Sequence, residues 1–554
     1  MTQQVDLILI GAITDEPFWP LGKILRADAT PQSVQSVVEN HLQHTEAEAW
    51  IFWDSCFATP GMQSVLSALN GKGDVWHAGL TLGMRGTPGL IDFVHPTWMF
   101  TRDPEPTIEA TSWRLSLRAC LIRTSVLRAL GGPQPEFESL EGAALELGHR
   151  LITRGASVRH TPELLGNVES EFAIELPIID EIRFLYYRFG SFWTKIALAR
   201  AAFTGYAKAG ELFRGGRQVL RSKRPAFKAP FEPAHAHDGV SSATATVTVL
   251  LPTLDRYPYL RTLLSQLRIQ SIPPYEIIII DQTPEDRRDT LISADFADLP
   301  LKMVYRDKPG QCTSRNAGLR MAGGDYILFI DDDDEVPSTL IEEHLRNISL
   351  FQADVSSGIA NEPGAEIISQ SSRFIRQSDG FPTNNTMARR EAFHGSGLFD
   401  LAYERGSRAD GDLGMRLYLS GAQMVLNPDI QVLHHHAPSG GLRTHRARVI
   451  TYGVSRNSIT KRQLPSATEI YLAKRYFSER QVRELLWQGL LGTFSIRGSR
   501  SKKLLKVAFG LIVAPNTLWR IRENRRRAEQ MLQTFPEIPN LVETPPQMMD
   551  ARCI

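Results

Sequence analysis

Four consecutive aspartates follow an apolar segment in the second half of the chain. Residues 326–330 read Tyr-Ile-Leu-Phe-Ile, and Asp331–Asp334 come directly after them. Carboxylates gathered at the end of a strand repel one another, which raises their pKa values unless a cation joins them. Carboxylate oxygens are the ligands that Mg²⁺ and Mn²⁺ prefer, and diphosphate oxygens can complete the shell. The run predicts a divalent-cation site for a diphosphate, and the alternative is an acidic loop or helix cap.

Two more apolar segments end in polar residues. Residues 246–251 lead into Pro252 and Thr253, and residues 276–280 lead into Asp281. Ligands of open α/β sheets bind at the carboxyl ends of the strands, so we expect these side chains at one crevice. An aspartate at a strand end is also a common structural feature, so this pattern counts mainly in combination with the acidic run.

A series of short motifs runs through this half of the chain. In order, they are Pro252-Thr253, Asp281, Ser314–Gly318, Asp331–Asp334, Met387–Arg390, Gly397–Asp400 and Asp410–Arg416. Together they span about 200 residues and resemble the family 2 glycosyltransferases. The resemblance implies the GT-A fold, a Rossmann-like sheet with a metal-binding Asp-x-Asp motif. It also implies transfer of a sugar from a nucleotide-sugar donor to a hydroxyl acceptor on a glycan, lipid or protein.

The resemblance assigns a donor site. It implies that the nucleotide sugar is bound by Pro252, Thr253, Asp281, Arg315, Asn316, Asp331 and Asp332. Asp281 would hydrogen-bond the base, and Arg315 would contact the nucleotide or its diphosphate. Asp331 and Asp333 form the Asp-x-Asp pair, in which Asp333 is the first choice for contact with a divalent cation, Mg²⁺ or Mn²⁺, and Asp331 reaches ribose or metal.

Asp410 matches the family's general base, the aspartate of a Glu-Asp pair at the start of a helix. A hydroxyl is a weak nucleophile at neutral pH, so a carboxylate within hydrogen-bond reach must take its proton as the new bond forms. The cation and Arg315 would stabilise the departing diphosphate, and direct displacement would invert the anomeric carbon. Two positions depart from the family pattern: Ala409 replaces the glutamate, and Gln282 replaces a frequent second aspartate.

Three adjacent histidines, His434–His436, follow the last strand-like segment of this half. Neighbouring residues on a strand point to opposite faces, so the run is a weak zinc signature. In the related enzymes a histidine near this position approaches the metal or the diphosphate. His434 or His436 is therefore a further candidate ligand of the cation, and the alternative is a solvated turn.

An internal repeat relates the two halves. Residues 123–162 align without a gap with residues 389–428, at an offset of 266, and Asp54 aligns with Asp331 at an offset of 277. The repeat predicts two tandem domains of one fold.

The first copy has lost the residues that carry the chemistry. Cys56 stands at the position of Asp333, and Ala144 stands at the position of Asp410. The stretch that holds the nucleotide-binding residues of the second copy is missing from the first. We therefore predict that residues 1–210 form a degenerate GT-A-like domain without transferase activity, which binds the acceptor, acts as a scaffold or gives structural support.

Net charge and chain length limit the possible partners and the domain organisation. A net charge of +1 provides no global field that would collect nucleic acid. We expect an α/β protein with two tandem GT-A domains, each a Rossmann-like, mostly parallel sheet, plus a helical C-terminal region. The predicted boundaries are 1–210 for the degenerate domain, 211–244 for a linker, 245–445 for the catalytic domain and 446–554 for the helical, basic C-terminal region.

We expect a cytoplasmic protein. The four cysteines form no CxxC pair, no signal-like basic segment precedes the first strand, and no apolar run reaches the roughly 18 residues of a spanning helix. Residues 497–527 mix basic and apolar side chains, a pattern that fits peripheral contact with the anionic inner face of a membrane. A packed helix with a solvated basic face is the alternative, and we favour it.

Two other functional classes share parts of the pattern. A nucleotidyltransferase also uses a nucleotide crevice and an acidic metal site, but it normally has a Gly-rich basic loop where this chain has Pro252–Arg256. A non-catalytic glycan- or nucleotide-binding protein would not be expected to keep Asp331, Asp333 and Asp410 together. Glycosyl transfer is therefore the preferred function.

Overall fold

The computed structural model of the chain describes residues 3–12, 17–166, 174–226, 229–232, 245–364, 373–437, 440–441 and 452–541. Two β-sheets with their helices form the two halves, and a group of helices follows the second sheet. The predicted α/β class with two sheets and a helical C-terminal region is confirmed. Cys553 lies outside the described residues.

The first half contains one sheet of seven strands, in the order β2-β1-β3-β6-β4-β7-β5. Its elements are β1 (Val5–Ile10), β2 (Ile24–Ala27), α1 (Pro31–His41), β3 (Ala49–Asp54), α2 (Met62–Asn70), β4 (Val75–His77), β5 (Ala110–Thr111), β6 (Ala119–Arg123), α3 (Thr124–Leu130), α4 (Leu140–Ile152), β7 (Val158–His160), α5 (Ile178–Thr204) and α6 (Ala209–Val219).

The second half contains a nine-stranded sheet, in the order β10-β9-β8-β11-β15-β13-β16-β12, with β14 also paired to β16. Its elements are β8 (Val247–Thr253), α7 (Tyr257–Leu267), β9 (Glu276–Asp281), α8 (Ile292–Asp295), β10 (Leu301–Tyr305), α9 (Gln311–Met321), β11 (Tyr326–Phe329), β12 (Asp334–Glu335), α10 (Leu340–Phe351), β13 (Val355–Asn361), β14 (Arg376–Gln377), β15 (Thr386–Arg389), α11 (Ala392–Ser396), α12 (Ala409–Leu419) and β16 (Met424–His434). The C-terminal helices are α13 (Tyr452–Asn457), α14 (Ala467–Tyr476), α15 (Glu479–Gly492), α16 (Arg500–Ile512) and α17 (Ala514–Thr534).

The sheets are mixed rather than mostly parallel. β10, β9, β8 and β11 run parallel, whereas β15 is antiparallel to both β11 and β13. The parallel strands β8, β9 and β11 are apolar along most of their length, as in Ile277–Ile280, because both faces of the sheet are covered there, whereas the half-buried β10 also carries Lys302. The short antiparallel β15 carries no such signal, which is why the sequence pattern overstated the parallel share.

The two halves pack against each other through reciprocal contacts. A Cβ at Gly155 would lie 3.1 Å from the Ile375 carbonyl oxygen, and a Cβ at Gly421 would lie 2.4 Å from the Glu109 carbonyl oxygen. Gly155 and Gly421 are equivalent positions of the internal repeat, and so are Glu109 and Ile375, because each pair is 266 residues apart in the chain. Only glycine lets the two backbones approach this closely.

The predicted linker at 211–244 is too long. Residues 211–219 belong to α6, whose buried Leu212 and Val219 pack in the same core cluster as α5. The basic and proline residues that suggested a linker lie mainly after this helix. Residues 233–244 of the predicted linker lie outside the described part of the chain.

Candidate active site

The C-terminal ends of the three parallel strands β9, β8 and β11 lie side by side in the second sheet, and this row of strand ends is referred to as the edge. In the register of β8 and β9, Thr253 lies beside Asp281, and β11 lies on the other side of β8 and ends next to Asp331. The parallel pairing brings the predicted donor residues together. Pro252, the last residue of β8 but one, is half-buried next to Thr253.

Asp281 is fully buried and held in one orientation. The Tyr257 hydroxyl donates to Oδ2 at 2.7 Å, and the Thr283 backbone N–H donates to Oδ1 at 2.9 Å. Tyr257 comes from the start of α7, directly after the loop that leaves β8. A carboxylate fixed in this way is preorganised for a hydrogen bond to a ligand at the strand ends.

Arg256 pairs with both of the central aspartates of the acidic run. Its Nη1 atom lies 2.8 Å from Oδ1 of Asp332 and 2.9 Å from Oδ1 of Asp333. The Thr253 hydroxyl donates to the other oxygen of Asp332 at 2.8 Å. Burial raises the pKa of Asp332 to about 6, and Arg256 opposes that rise. Asp332 therefore helps to fix the geometry of the site and also contributes to its negative charge.

Arg315 lies on α9 and points to the first aspartate of the run. Its Nη2 donates to Oδ1 of Asp331 at 2.9 Å and to the Thr383 hydroxyl at 3.3 Å. Asp331 is the more exposed member of the Asp-x-Asp pair, since Asp333 is buried. The Asp331–Arg315 pair is thus partly exposed, with 28% of the Asp331 side chain and 12% of the Arg315 side chain accessible.

Asn316 has a different task from the predicted one. Its amide nitrogen donates to the Phe399 carbonyl at 2.8 Å, and its amide oxygen accepts from the Phe399 N–H at the same distance. The side chain is buried. Because both ends of the amide are engaged by one backbone segment, the geometry makes Asn316 a tether for that segment rather than a contact for the donor.

The three histidines each meet a different carboxylate. His434 Nδ1 lies 2.8 Å from Asp334, His435 Nε2 lies 2.5 Å from Glu335, and His436 Nε2 lies 2.7 Å from Glu362. Burial lowers the pKa of His434, but the hydrogen bond to Asp334 and the negative charges of the acidic run together outweigh burial and raise this pKa to about 8. The predicted metal ligand His434 is therefore oriented by Asp334 and stands 3.8 Å from Asp333.

The donor atoms of the site fit a hard cation, although among the described residues no group of three or more acidic, histidine or cysteine side chains converges in a metal-binding arrangement. Oδ1 of Asp333 is buried and accepts no hydrogen bond, although Nη1 of Arg256 lies 2.9 Å from it and Nδ1 of His434 lies 3.8 Å from it. Oδ2 accepts from the Ala437 N–H at 2.7 Å. A buried carboxylate oxygen with a free lone pair is an atom that a divalent cation would satisfy.

Asp410 is exposed in the first turn of α12, where the Gly411 N–H donates to its Oδ1 at 2.8 Å. The loop before it is tied to the helix that carries Arg315. Glu404 in this loop accepts the N–H groups of Cys312 and Thr313, at 2.7 and 3.0 Å, and so caps the N-terminus of α9. Through this cap, the loop that precedes Asp410 is fixed to the helix that carries Arg315.

Backbone strain is concentrated at this edge. Of the four described non-glycine residues with positive φ, three are Asp255 (56°), Arg408 (82°) and His436 (51°), which lie next to Arg256, Asp410 and the acidic run. Such conformations are costly and collect at functional sites. Sequence reasoning missed Arg256 and Glu404, because their partners lie 76 or more residues away in the chain.

Comparison with known proteins agrees with this geometry. Residues 248–396 match the family model of glycosyl transferase family 2. The chain contains a family 2 glycosyltransferase domain. The matched segment holds every strand of the edge described above and ends before Asp410.

Relatives of this family 2 domain are bacterial glycosyltransferases. The chain is 27% identical over 114 residues to glycosyltransferase GlyA of Streptococcus pneumoniae, covering 20% of this chain and 16% of GlyA. It is 33% identical over 103 residues to the uncharacterized glycosyltransferase YwdF of Bacillus subtilis, covering 18% of this chain and 38% of YwdF. The chain thus spans less than half the length of these relatives.

Solved structures give weaker likenesses. Residues 1–349 of Staphylococcus aureus TarS in complex with UDP-GlcNAc align over 52% of this chain and 92% of that one, with 17% identity and a TM-score of 0.31. The mannosyltransferase PcManGT of Pyrobaculum calidifontis, in complex with GDP-Man and Mn²⁺, covers 60% and 96%, with 14% identity and a TM-score of 0.35.

Proposed function

We propose that this protein is a metal-dependent, inverting glycosyltransferase that transfers a sugar from a nucleotide-sugar donor to a hydroxyl on a glycan, lipid or protein. The observation that carries the proposal is the meeting of Asp281, Arg315, Asp331 and Asp333 at one strand edge within a family 2 domain. Asp410 lies at the end of a loop anchored to the same edge.

In this proposal the donor nucleotide lies along the ends of β8 and β9. Asp281, held by Tyr257, hydrogen-bonds the base, and Thr253 lines the same pocket. Arg315, which donates a hydrogen bond to Asp331, also donates to the diphosphate oxygens when the donor is bound. A guanidinium is suited to this task because it donates to two oxygens at once.

Asp331 and Asp333, with His434 nearby, would hold a divalent cation such as Mg²⁺ or Mn²⁺, which stabilises the negative charge of the departing diphosphate. Asp410 takes the proton of the acceptor hydroxyl as the new bond forms. The Gly411 N–H holds one carboxylate oxygen of Asp410, which orients the group at the helix start. Attack from the side opposite the diphosphate inverts the anomeric carbon.

A screen of nucleotide sugars tests this function directly. The full-length protein is incubated with each nucleotide sugar and Mn²⁺, and release of free nucleoside diphosphate is measured with and without EDTA. Glycosyl transfer or donor hydrolysis predicts EDTA-sensitive release of the nucleoside diphosphate. A nucleotidyltransferase would release pyrophosphate from a nucleoside triphosphate and a sugar phosphate, and a binding protein would release neither product.

We infer that the first half is a degenerate copy of the catalytic domain. In support, its strand order matches that of β9-β8-β11-β15-β13-β16-β14 in the second half. The metal-ligand position is the exposed Cys56, and the base position is the fully buried Ala144. We assign this half a role in support or acceptor binding, without turnover of its own.

We further propose that α16 and α17 lie on an anionic membrane surface, at the inner face of the cell membrane. Within the described residues no single helix is long and apolar enough to span a bilayer. Among the described helices, only α16 and α17 taken together reach the length and apolar composition of a membrane span, and their axes are bent by 64° relative to each other. The residues that α16 buries are Lys506 and Gly510, while Leu504 and Ile512 are 72% and 79% exposed. Exposed leucines flanked by lysines and arginines fit a lipid interface better than a packed helix with a solvated face.

Vesicle co-sedimentation tests the membrane contact. The full-length protein is expected to sediment with vesicles that contain phosphatidylglycerol and to remain in solution with phosphatidylcholine alone. The double variant Leu504→Ser/Leu511→Ser should lose binding, whereas Leu491→Ser, an equally polar change at an exposed leucine of α15, should keep it. Equal binding of the two variants would contradict the proposal.

A further inference from the structure

A cavity of about 460 Å³ lies between the two halves. Segment 374–379 of the second half forms one wall, and residues of α4, α5 and the segment before β5 form the other. Its lining includes Trp98, Phe100, Arg154, Arg188, Arg376 and Asp379. The site described above uses none of these side chains.

The lining of this cavity is rich in positive charge. Three guanidinium groups, those of Arg154, Arg188 and Arg376, face one carboxylate, Asp379. An adjoining cavity of about 320 Å³ shares Arg154 and Arg188. There the buried Glu146 pairs with two arginines, Arg150 at 3.0 Å and Arg188 at 3.4 Å. The two cavities together hold more cations than carboxylates.

Burial opposes the charge of these guanidinium groups, and at Arg188 the Glu146 carboxylate offsets part of this effect. Burial lowers the pKa of Arg188 to about 10 and also lowers the pKa of Arg154 and Arg376. Desolvated guanidinium groups gain from a carboxylate or phosphate that they can contact in pairs. The chemistry of the wall therefore favours an anionic ligand.

Aromatic rings form the rest of the wall. Trp98 packs edge-on against Phe100 and His149, with ring centroids 5.1 and 5.6 Å apart, and its indole N–H donates to Asp379 at 2.9 Å. Phe374 adds an aromatic face next to Arg376. Broad apolar faces beside a few polar groups are the usual lining of a small-molecule site, and they suit the C–H faces of sugar rings.

Both walls continue to the catalytic edge. On one side, the chain runs from Asp379 to Thr383, whose hydroxyl accepts from Arg315, and four residues span at most about 14 Å. On the other side, Phe100 packs on Tyr418 of α12 with centroids 5.3 Å apart. Asp410, the proposed base, lies eight residues earlier in the same helix, about 12 Å along its axis. A chain-like ligand in the cavity could therefore reach the active edge.

We propose that this cavity between the halves binds an anionic stretch of the acceptor glycan, one that carries carboxylate or phosphate groups, so that the first half holds the acceptor while the second half extends it. The inference rests on the proposed transferase function. It assigns the cavity to a glycan rather than a nucleotide, because the donor already has its place at Asp281 and Arg315.

Isothermal titration of the full-length protein with defined probes tests this site. The probes are penta-galacturonic acid for carboxylates, glucose 1-phosphate for phosphate, maltopentaose as the neutral control and UDP as the nucleotide control. We expect binding of at least one anionic probe, none of maltopentaose, and no competition by UDP. A loss of affinity of about tenfold or more is expected in Arg376→Ala and Arg154→Ala, one charge-assisted contact each.

The matched control is Arg373→Ala, which removes a charge from the same segment outside the cavity, where Arg373 pairs with Asp429. It should bind the anionic probe like the wild type. Absence of binding by both anionic probes, equal affinity in Arg376→Ala and Arg373→Ala, or displacement by UDP would each overturn the proposal.

Donor hydrolysis separates this inference from the proposed function. Arg376→Ala should hydrolyse the nucleotide sugar at the wild-type rate, because the cavity is not part of the donor site. Asp333→Ala should lose hydrolysis and keep probe binding. Probe binding without any donor turnover in the wild type would refute the transferase and leave an anion site, whereas turnover without probe binding would refute the cavity alone.

Discussion

Helices α4 and α12 occupy equivalent positions in the two halves, and their first turns differ in what covers them. At the start of α4, Asp180 of α5 accepts the backbone N–H groups of Glu138 and Ser139, at 2.9 and 2.8 Å, and Ala144, one turn into the helix, is fully buried. At the start of α12, Asp410 is exposed and follows Arg408, whose φ is 82°. The half for which we propose no transferase activity has this position covered, whereas the other half leaves it exposed and has a strained backbone there.

The same difference holds at the acidic position. Asp54 accepts from Arg118 at 2.6 Å and from the Cys56 N–H at 2.8 Å, so its charge is satisfied within the first half. In the second half Asp331–Asp334 bring four carboxylates together, and burial raises the pKa of Asp334 to about 7. Catalysis is expected to depend on this unbalanced charge, and a purely structural copy has no reason to keep it.

The largest effect is expected at the base. Asp410→Asn should lower the turnover of sugar transfer by about 10²- to 10⁴-fold, the range for loss of a general base, while donor affinity is retained. Steady-state kinetics together with titration of the nucleoside diphosphate separate the two quantities. Asp429→Asn, at an exposed aspartate of the same domain, is the control. Normal transfer by Asp410→Asn would remove this residue from the mechanism.

A smaller effect is expected at Arg315. Loss of a hydrogen bond to a charged group costs about 1.5–3 kcal/mol, so Arg315→Ala should lower kcat/KM for the donor by about 10- to 100-fold. Arg320→Ala, an exposed position in the last turn of the same helix, should change it little. Equal kinetics of the two variants would show that the diphosphate is held elsewhere.

The third comparison concerns stability. Asn316→Ala leaves the buried N–H and C=O of Phe399 without partners and should lower the free energy of unfolding by about 2–4 kcal/mol. Glu39, 277 positions earlier on α1, is exposed, and Glu39→Ala should change stability by less than about 0.5 kcal/mol. Chemical denaturation measures both. A stable Asn316→Ala variant with impaired donor binding would restore the predicted role of Asn316 in donor binding.

Much of the site could be predicted because apolar strands that end in polar residues define an edge. Thr253 and Asp281 lie side by side as their strands required. The tasks of Asn316 and Arg256 could not be predicted, since their partners are distant in sequence and are fixed by packing. The role of Asp410 still depends on resemblance, because the family match ends at residue 396.

The most direct test compares the two halves within one chain. Release of nucleoside diphosphate from a nucleotide sugar in Mn²⁺ is measured for full-length Asp333→Ala and Asp54→Ala. Our account predicts that Asp333→Ala loses release by about 10²-fold or more, as expected for loss of electrostatic stabilisation of the leaving group, whereas Asp54→Ala keeps nearly the wild-type rate. Equal losses in both variants, or a loss only in Asp54→Ala, would contradict the assignment of the chemistry to the second half.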